Sequence, residues 1–401
     1  MVRLFLLAFA SVFVVSPVFA QKKEISQARD YIKSGKNLDK AEEEMRKLLK
    51  DSANRNDIKI YHTLAEAIRA RYEQGNEKLY LKEKYDTASL FITAHKMFKA
   101  YETLDSVDAM PDGKGQIKLK YRKKNAAYLN TCRNNLYNGG MYFTLNKKYD
   151  IAYQLMDAFI DCAAQPLFSG MGYEMDSHLN KAAAYFTLYC GYKLGDADKA
   201  LKHEKLALQY EKRHKYALRF AAEIYKQKND TANYVSLLHC GFDKYRDSRY
   251  FFTRLMDYYN GEGRLDSSLI IVDKALESSP TNELFLYAKS NVLLNTGKYE
   301  ECIAVCDSLI ARNDTLADAY YDAGVAYINM AFNLEKSIRA SKAARTGIAD
   351  YYRKALPYME KYRALAPEQK DKWTAALYNI YLNLNMGKQF EEIDRIIRSN
   401  D

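Results

Sequence analysis

LRFAAEIY at 218–225, FTRLMDYY at 252–259, LYAKSNVL at 286–293 and YYDAGVAY at 320–327 begin 34 residues apart. Superimposed, they align Leu218, Phe252, Leu286 and Tyr320 at the first position and Ala222, Met256, Ser290 and Gly324 at the fifth. Tyr225, Tyr259, Leu293 and Tyr327 fall at the eighth. Residues at i, i+4 and i+7 share one helix face. Each segment therefore presents a large residue, a mostly small one, and an aromatic or leucine to the same neighbour. Self-similarity at this period marks stacked helical repeats, in which each unit buries its apolar face only against the next.

Each segment is followed by a second helix in the same rhythm: Ser268-x3-Val272-x2-Ala275, then Cys302-x3-Cys306-x2-Leu309. Pro280 closes one unit and opens the next, and Gly297 supplies a turn that needs a left-handed residue. The small residue lets the helices of a hairpin approach, and the large ones fill the groove between hairpins. These positions resemble the tetratricopeptide repeat, with its W-x2-L-G-x2-Y, A-x3-F and P pattern. The resemblance implies an all-α, right-handed superhelical solenoid of about nine helix hairpins. The whole chain holds only 17 Gly and 6 Pro, which suits helix throughout.

The beat extends both ways. Upstream, Leu136-x2-Gly139-Gly140-x2-Phe143 is paired with Ala152-x3-Met156-x2-Phe159, out of phase with the later units; the stretch 163–177 supplies the extra length. Residues 21–131 read as divergent hairpins, and 132–401 as the regular array. A second insert, 331–349, delays the return helix Ala355-x3-Met359-x2-Tyr362. Pro367 then restores the phase, and Trp373, the single Trp, takes the large first-helix position.

At the N-terminus, Arg3 precedes an apolar run from Leu4 to Val15, with Ala20 before Gln21. That is the layout of a secretory signal peptide over residues 1–20, too short to span a membrane comfortably. The remainder is expected to be exported, periplasmic or secreted, with no transmembrane segment. The formal charge of +10 is scattered, its densest patch being KLKYRKK at 118–124; export argues against nucleic acid as its partner. The spacing of the six cysteines shows neither a disulfide framework nor a metal motif. Cys302 and Cys306 replace core residues of neighbouring repeats and are expected to be packing thiols.

Catalytic signatures are missing: there is no G-x-S-x-G elbow and no phosphate-binding G-x-x-x-x-G-K-[ST]. His203-Glu204 starts a zincin-like motif that no second His completes. No cofactor, metal or enzymatic activity is expected.

The resemblance implies that first helices line a concave surface. Carried onto this sequence, the groove positions are Tyr137 with Met141, Tyr185, Tyr189, Tyr192 with Lys193, Tyr216, Arg219 with Glu223 and Lys226, Tyr250, Asp257 and Asn260, Tyr287, Asn291 and Asn295, Tyr321 with Asn329, and Tyr378. Tyr offers a broad apolar face with a polar tip, and Asn pairs with amides or hydroxyls. This row suits a protein or peptide partner and implies a scaffold, with a role in envelope assembly or secretion as the family-level expectation. A glycan-binding helical-repeat protein is the alternative, and an enzyme on a helical scaffold the third reading. Tyr287-Asn291 stands where a chaperone-tail clamp would need Lys-Asn, so that ligand is not expected.

Overall fold

The computed structural model describes residues 17–175, 177–337 and 342–398. The apolar run Leu4–Val15 lies outside the described residues. The elements are all helices, with no strand among the described residues. In order they are α1 (Pro17–Ser34), α2 (Leu38–Leu48), α3 (Ile58–Tyr80), α4 (Thr87–Asp108), α5 (Arg122–Cys132), α6 (Asn134–Leu145), α7 (Tyr149–Asp161), α8 (His178–Leu194), α9 (Ala197–Leu201), α10 (Glu204–Ala207) and α11 (His214–Gln227). They continue as α12 (Thr231–Lys244), α13 (Arg249–Gly261), α14 (Leu265–Ser278), α15 (Glu283–Asn295), α16 (Tyr299–Arg312), α17 (Ala317–Ser337), α18 (Lys342–Leu365), α19 (Lys370–Asn383) and α20 (Gly387–Arg398). The chain divides into two compact units, one running to Thr231 and the other starting at Ala232.

The 34-residue beat is written into the backbone as well as the side chains. Gly195, Asn229, Gly263 and Gly297 stand 34 apart, and all four adopt positive φ, between 57° and 77°. Each ends a first helix in the left-handed conformation that Gly and Asn tolerate best. The next residue then donates its N–H back across the turn: Asp196 to Gly191 O, Asp230 to Tyr225 O, Arg264 to Tyr259 O and Lys298 to Leu293 O, at 2.8–3.0 Å. This six-residue closure satisfies a carbonyl that the helix end leaves orphaned. Helix starts are fixed by side-chain caps, with Asp57, Asp86, Ser177, Asp196 and Asn282 each accepting from a backbone N–H of the first turn.

The fifth-position small residues face the return helix. A Cβ on Gly324 would lie 2.4 Å from the Met359 sulfur, and one on Gly140 2.6 Å from Met156 Cγ. Leu218, Phe252, Tyr320 and Trp373 are buried at the first position, and Cys302 and Cys306 are buried on the return helix. Helix α15 departs from the sequence register: Phe285 is buried and stacks on Phe252 at 4.5 Å, leaving Leu286 half-buried against the cluster around Leu293 and Leu309. The aromatic wins the deeper site because it fills the groove toward α13 with more area.

The two inserts take different forms. Helices α13–α16 have 13 or 14 residues, whereas α17 has 21 and α18 has 24, so the described parts of the segment 331–349 lengthen both arms of one hairpin. The described residues of the stretch 163–177 instead fold back on the array. Leu167 and Phe168 are buried, with Phe168 stacked on Phe98 at 6.0 Å. Arg133 locks this loop, its guanidinium lying 4.1 Å from the Tyr173 ring while Nη2 donates to Phe159 O and to Asn180 Oδ1.

Candidate binding surfaces on the first helices

In the first unit, the structure gathers four of the expected groove residues around one that the sequence pattern had not marked. Phe220, on α11, lies 4.8 Å from the Tyr192 ring, 5.4 Å from Tyr189, 6.4 Å from Tyr185 and 6.5 Å from Tyr216. Tyr185 is buried and forms the base, also touching Tyr210. Tyr189, Tyr192 and Phe220 are half-buried, and Tyr216 is 47% exposed. Cations surround the rings: Lys193 lies 5.9 Å from the Tyr192 ring, and the Arg213 guanidinium lies 5.9 Å from the Tyr216 ring. Arg219 is exposed on the same helix. Phe220 escaped the sequence reading because its column has no repeat: Arg254, Ala288 and Asp322 fill it in later units. Tyr137 stands apart, against Phe159 at 5.6 Å.

In the second unit, the expected groove residues are scattered among local roles. Tyr250 lies edge-on to Phe251 at 5.1 Å. Asn260 Oδ1 accepts from Ser268 Oγ at 2.7 Å, tying α13 to α14. Asn291 accepts through its main-chain O and its Oδ1 from Asn295 Nδ2, one turn on. Tyr378 packs on Phe390 at 4.7 Å. Tyr321 lies 5.0 Å from Tyr362, with Lys372 Nζ 5.4 Å from its ring. Tyr287 borders a recess of about 320 Å³ walled by Leu284, Leu309 and Leu316. Burial, then Asp318 and Asp322, push the Tyr287 phenol up to about 12.

Behind Tyr287 lies a buried carboxyl. Asp322 is 3% exposed, and Ser290 Oγ lies 2.9 Å from its Oδ2. The same hydroxyl lies 2.8 Å from Tyr287 O, and it has one proton to give. Donated to Asp322, that proton favours the ionised carboxylate. Burial outweighs that bond and, reinforced by Asp318, raises Asp322 from 3.8 to about 6. A folded-state value above the unfolded one stabilises the fold below about pH 4, and that contribution is lost as pH rises through about 6. Asp322→Asn keeps an acceptor for the Ser290 hydroxyl without the charge. It is expected to stabilise the second unit by about 2–3 kcal/mol at about pH 8 and to converge on wild type near pH 4. Urea denaturation at the two pH values checks this; equal stabilities at about pH 8 would contradict it.

Among the described residues, one group combines His and carboxylates closely enough to hold a metal: Asp157, Asp161 and His203. The chain's own cation already sits there. Lys202 Nζ lies 2.6 Å from Asp157 and 3.2 Å from Asp161, and His203 Nε2 lies 2.7 Å from Asp157. Burial opposes ionisation of Asp157, but these partners hold it below the usual carboxylate range. The arrangement is an ion-pair clamp between successive return helices. No described helix is long and apolar enough to cross a membrane.

No protein-family model and no curated protein matches the chain. Solved structures similar to it are tetratricopeptide-repeat proteins. The C-terminal part of a repeat-containing protein from Cytophaga hutchinsonii is 13% identical, covering 63% of this chain and 91% of its own, with a TM-score of 0.41. YrrB, described as a repeat protein with an unusual peptide-binding site, is 17% identical over 54% of this chain and 98% of its own, with a TM-score of 0.35. A two-repeat-domain fragment of yeast Sti1 in complex with pHSP90 is 12% identical over 74% and 98%, with a TM-score of 0.27.

Proposed function

We propose that the chain is an exported helical-repeat scaffold that binds an extended segment of a protein partner across the Phe220-centred surface of its first unit. The carrying observation is that surface: Tyr192, Phe220 and Tyr216 form an open aromatic patch with Lys193 and Arg213 at its edge. Rings that are half in water lose little side-chain entropy on binding and stack on peptide planes, proline or apolar side chains. The adjoining cations favour a segment that carries carboxylates. Tyr185 supports the patch from beneath and is not itself a contact residue. Removal of residues 1–20 would cut within α1 (Pro17–Ser34). That cut leaves Gln21 donating to Asp57 at 2.8 Å, and Ile25 and Ala28 in the core.

Selection of a random peptide library on the wild type, followed by titration on a Tyr192→Ala/Tyr216→Ala/Phe220→Ala variant, tests the surface. Selected peptides are expected to bind the variant at least about tenfold more weakly, since aromatic anchors dominate such interfaces. Unchanged affinity would exclude the patch, and binding confined to a glycan array would favour the sugar-binding alternative. Mature protein beginning at Gln21 would support export.

A further inference from the structure

A second surface of the first unit lies between the return helices α2 and α4, apart from the Phe220 patch and independent of it. An inner groove of about 280 Å³ has Leu49, Leu64 and Ala100 as its floor and Arg46, His95, Lys96 and Lys99 at its rim. At Arg46 and Lys96 it opens into a shallower depression of about 520 Å³, which adds Lys47, Lys50 and Arg71 together with Asp39, Glu42 and Glu43.

The charges do not cancel. Glu42 is held by Arg46 at 3.0 Å and by Arg71 at 2.5 Å, so one carboxylate answers two guanidinium groups. Glu102 is taken by Lys99 at 2.8 Å. Lys47, Lys50 and Lys96 have no ion pair among the described residues, and all three are exposed. No carboxylate lines the inner groove. Burial, then Lys99, lowers His95, so at neutral pH its ring is uncharged and can offer one N–H. The groove thus joins an apolar floor, sized for one or two side chains and smaller than a cofactor pocket, to a rim of unanswered positive charge.

We propose that this groove binds an acidic segment of a protein partner, seating one apolar side chain on Leu49 and Leu64 while its carboxylates pair with Lys47, Lys50 and Lys96. A short segment fits better than a membrane surface, because Asp39 and Glu43 share the outer rim and an extended anionic plane would meet both. The floor is recessed between two helices, where a side chain can enter and a flat headgroup layer cannot.

The probe is a short fluorescent peptide with a single Phe flanked by Asp residues, titrated by anisotropy against full-length protein. Binding is expected to weaken with added salt. A Lys47→Glu/Lys50→Glu/Lys96→Glu variant is expected to lose at least about tenfold in affinity, since like charges face each other across the groove. These residues are exposed, and an unchanged circular dichroism spectrum would show the fold intact. The Tyr192→Ala/Tyr216→Ala/Phe220→Ala variant is expected to bind this probe as the wild type does, which separates the groove from the aromatic patch. Equal binding by the charge-reversed variant would overturn the proposal. So would binding to phosphatidylserine vesicles in the absence of peptide binding.

Discussion

Replacing Gly191 with leucine is expected to destabilise the first unit by about 4 kcal/mol or more. The result runs against the repeat pattern. Gly191 stands 34 residues before Tyr225, in the column that carries Tyr259, Leu293 and Tyr327, so a large side chain, tyrosine or leucine, is what a comparison of sibling repeats would recommend. Consensus changes of that kind commonly stabilise by about 0.5–2 kcal/mol. The structure forbids it here. A Cβ on Gly191 would lie 2.4 Å from the backbone N of Ala200, 2.5 Å from its Cα and 2.8 Å from its Cβ. Backbone cannot swing aside as the Met359 side chain can, so α9 would have to leave α8. The close approach arises because only Gly195 and Asp196 separate the two helices and α9 is five residues long. Urea denaturation followed by circular dichroism should show an early transition, and limited proteolysis should cut first between about residues 195 and 210. Wild-type stability in the leucine variant would show that the α8–α9 contact is looser than described.

Phe252→Ala is expected to cost the second unit about 3–5 kcal/mol. Phe252 is 1% exposed, and its ring lies 4.5 Å from that of Phe285 at an interplanar angle of 50°. The substitution removes the area buried between successive first helices, opens a cavity that α13 and α15 cannot fill, and breaks an aromatic pair worth about 1 kcal/mol beyond its area. Phe252→Leu keeps most of the volume and is expected to recover more than half of the loss. Because repeat arrays gain stability from neighbour interfaces, the effect should extend to α14 and α15 by hydrogen exchange while leaving the first unit protected. Loss confined to α13 would contradict this coupling.

How much of this was legible in the sequence varies with how local the cause is. The periodic columns marked Leu218, Ala222, Phe252 and Tyr320 as packing residues, because a helix converts spacing directly into a face. Trp373, Cys302 and Cys306 were placed in the core by the same ruler. The exchange between Phe285 and Leu286 was not legible, since adjacent positions both border the buried stripe and only the partner ring on α13 decides between them. Of the proposed groove row, Tyr189, Tyr192 and Tyr216 meet at one surface, whereas Tyr185 sinks beneath it and Asn260 is drawn to Ser268. Phe220, the centre of that surface, had no sibling to announce it. Nor did Asp322, which shares its column and is buried against Ser290.

The sequence alone determined the helical periodicity, the small and large columns that let hairpins stack, and a left-handed turn at Gly297, which the structure repeats at Gly195, Asn229 and Gly263. All of these follow from the conformational preferences of residues close together in the chain. Tertiary structure alone decided which aromatics meet around Phe220, why Gly191 admits no side chain, and that Lys47, Lys50 and Lys96 line a depression opening onto a groove with an apolar floor. Those outcomes depend on distances between residues far apart in sequence, and on how much room and charge neighbouring helices leave one another.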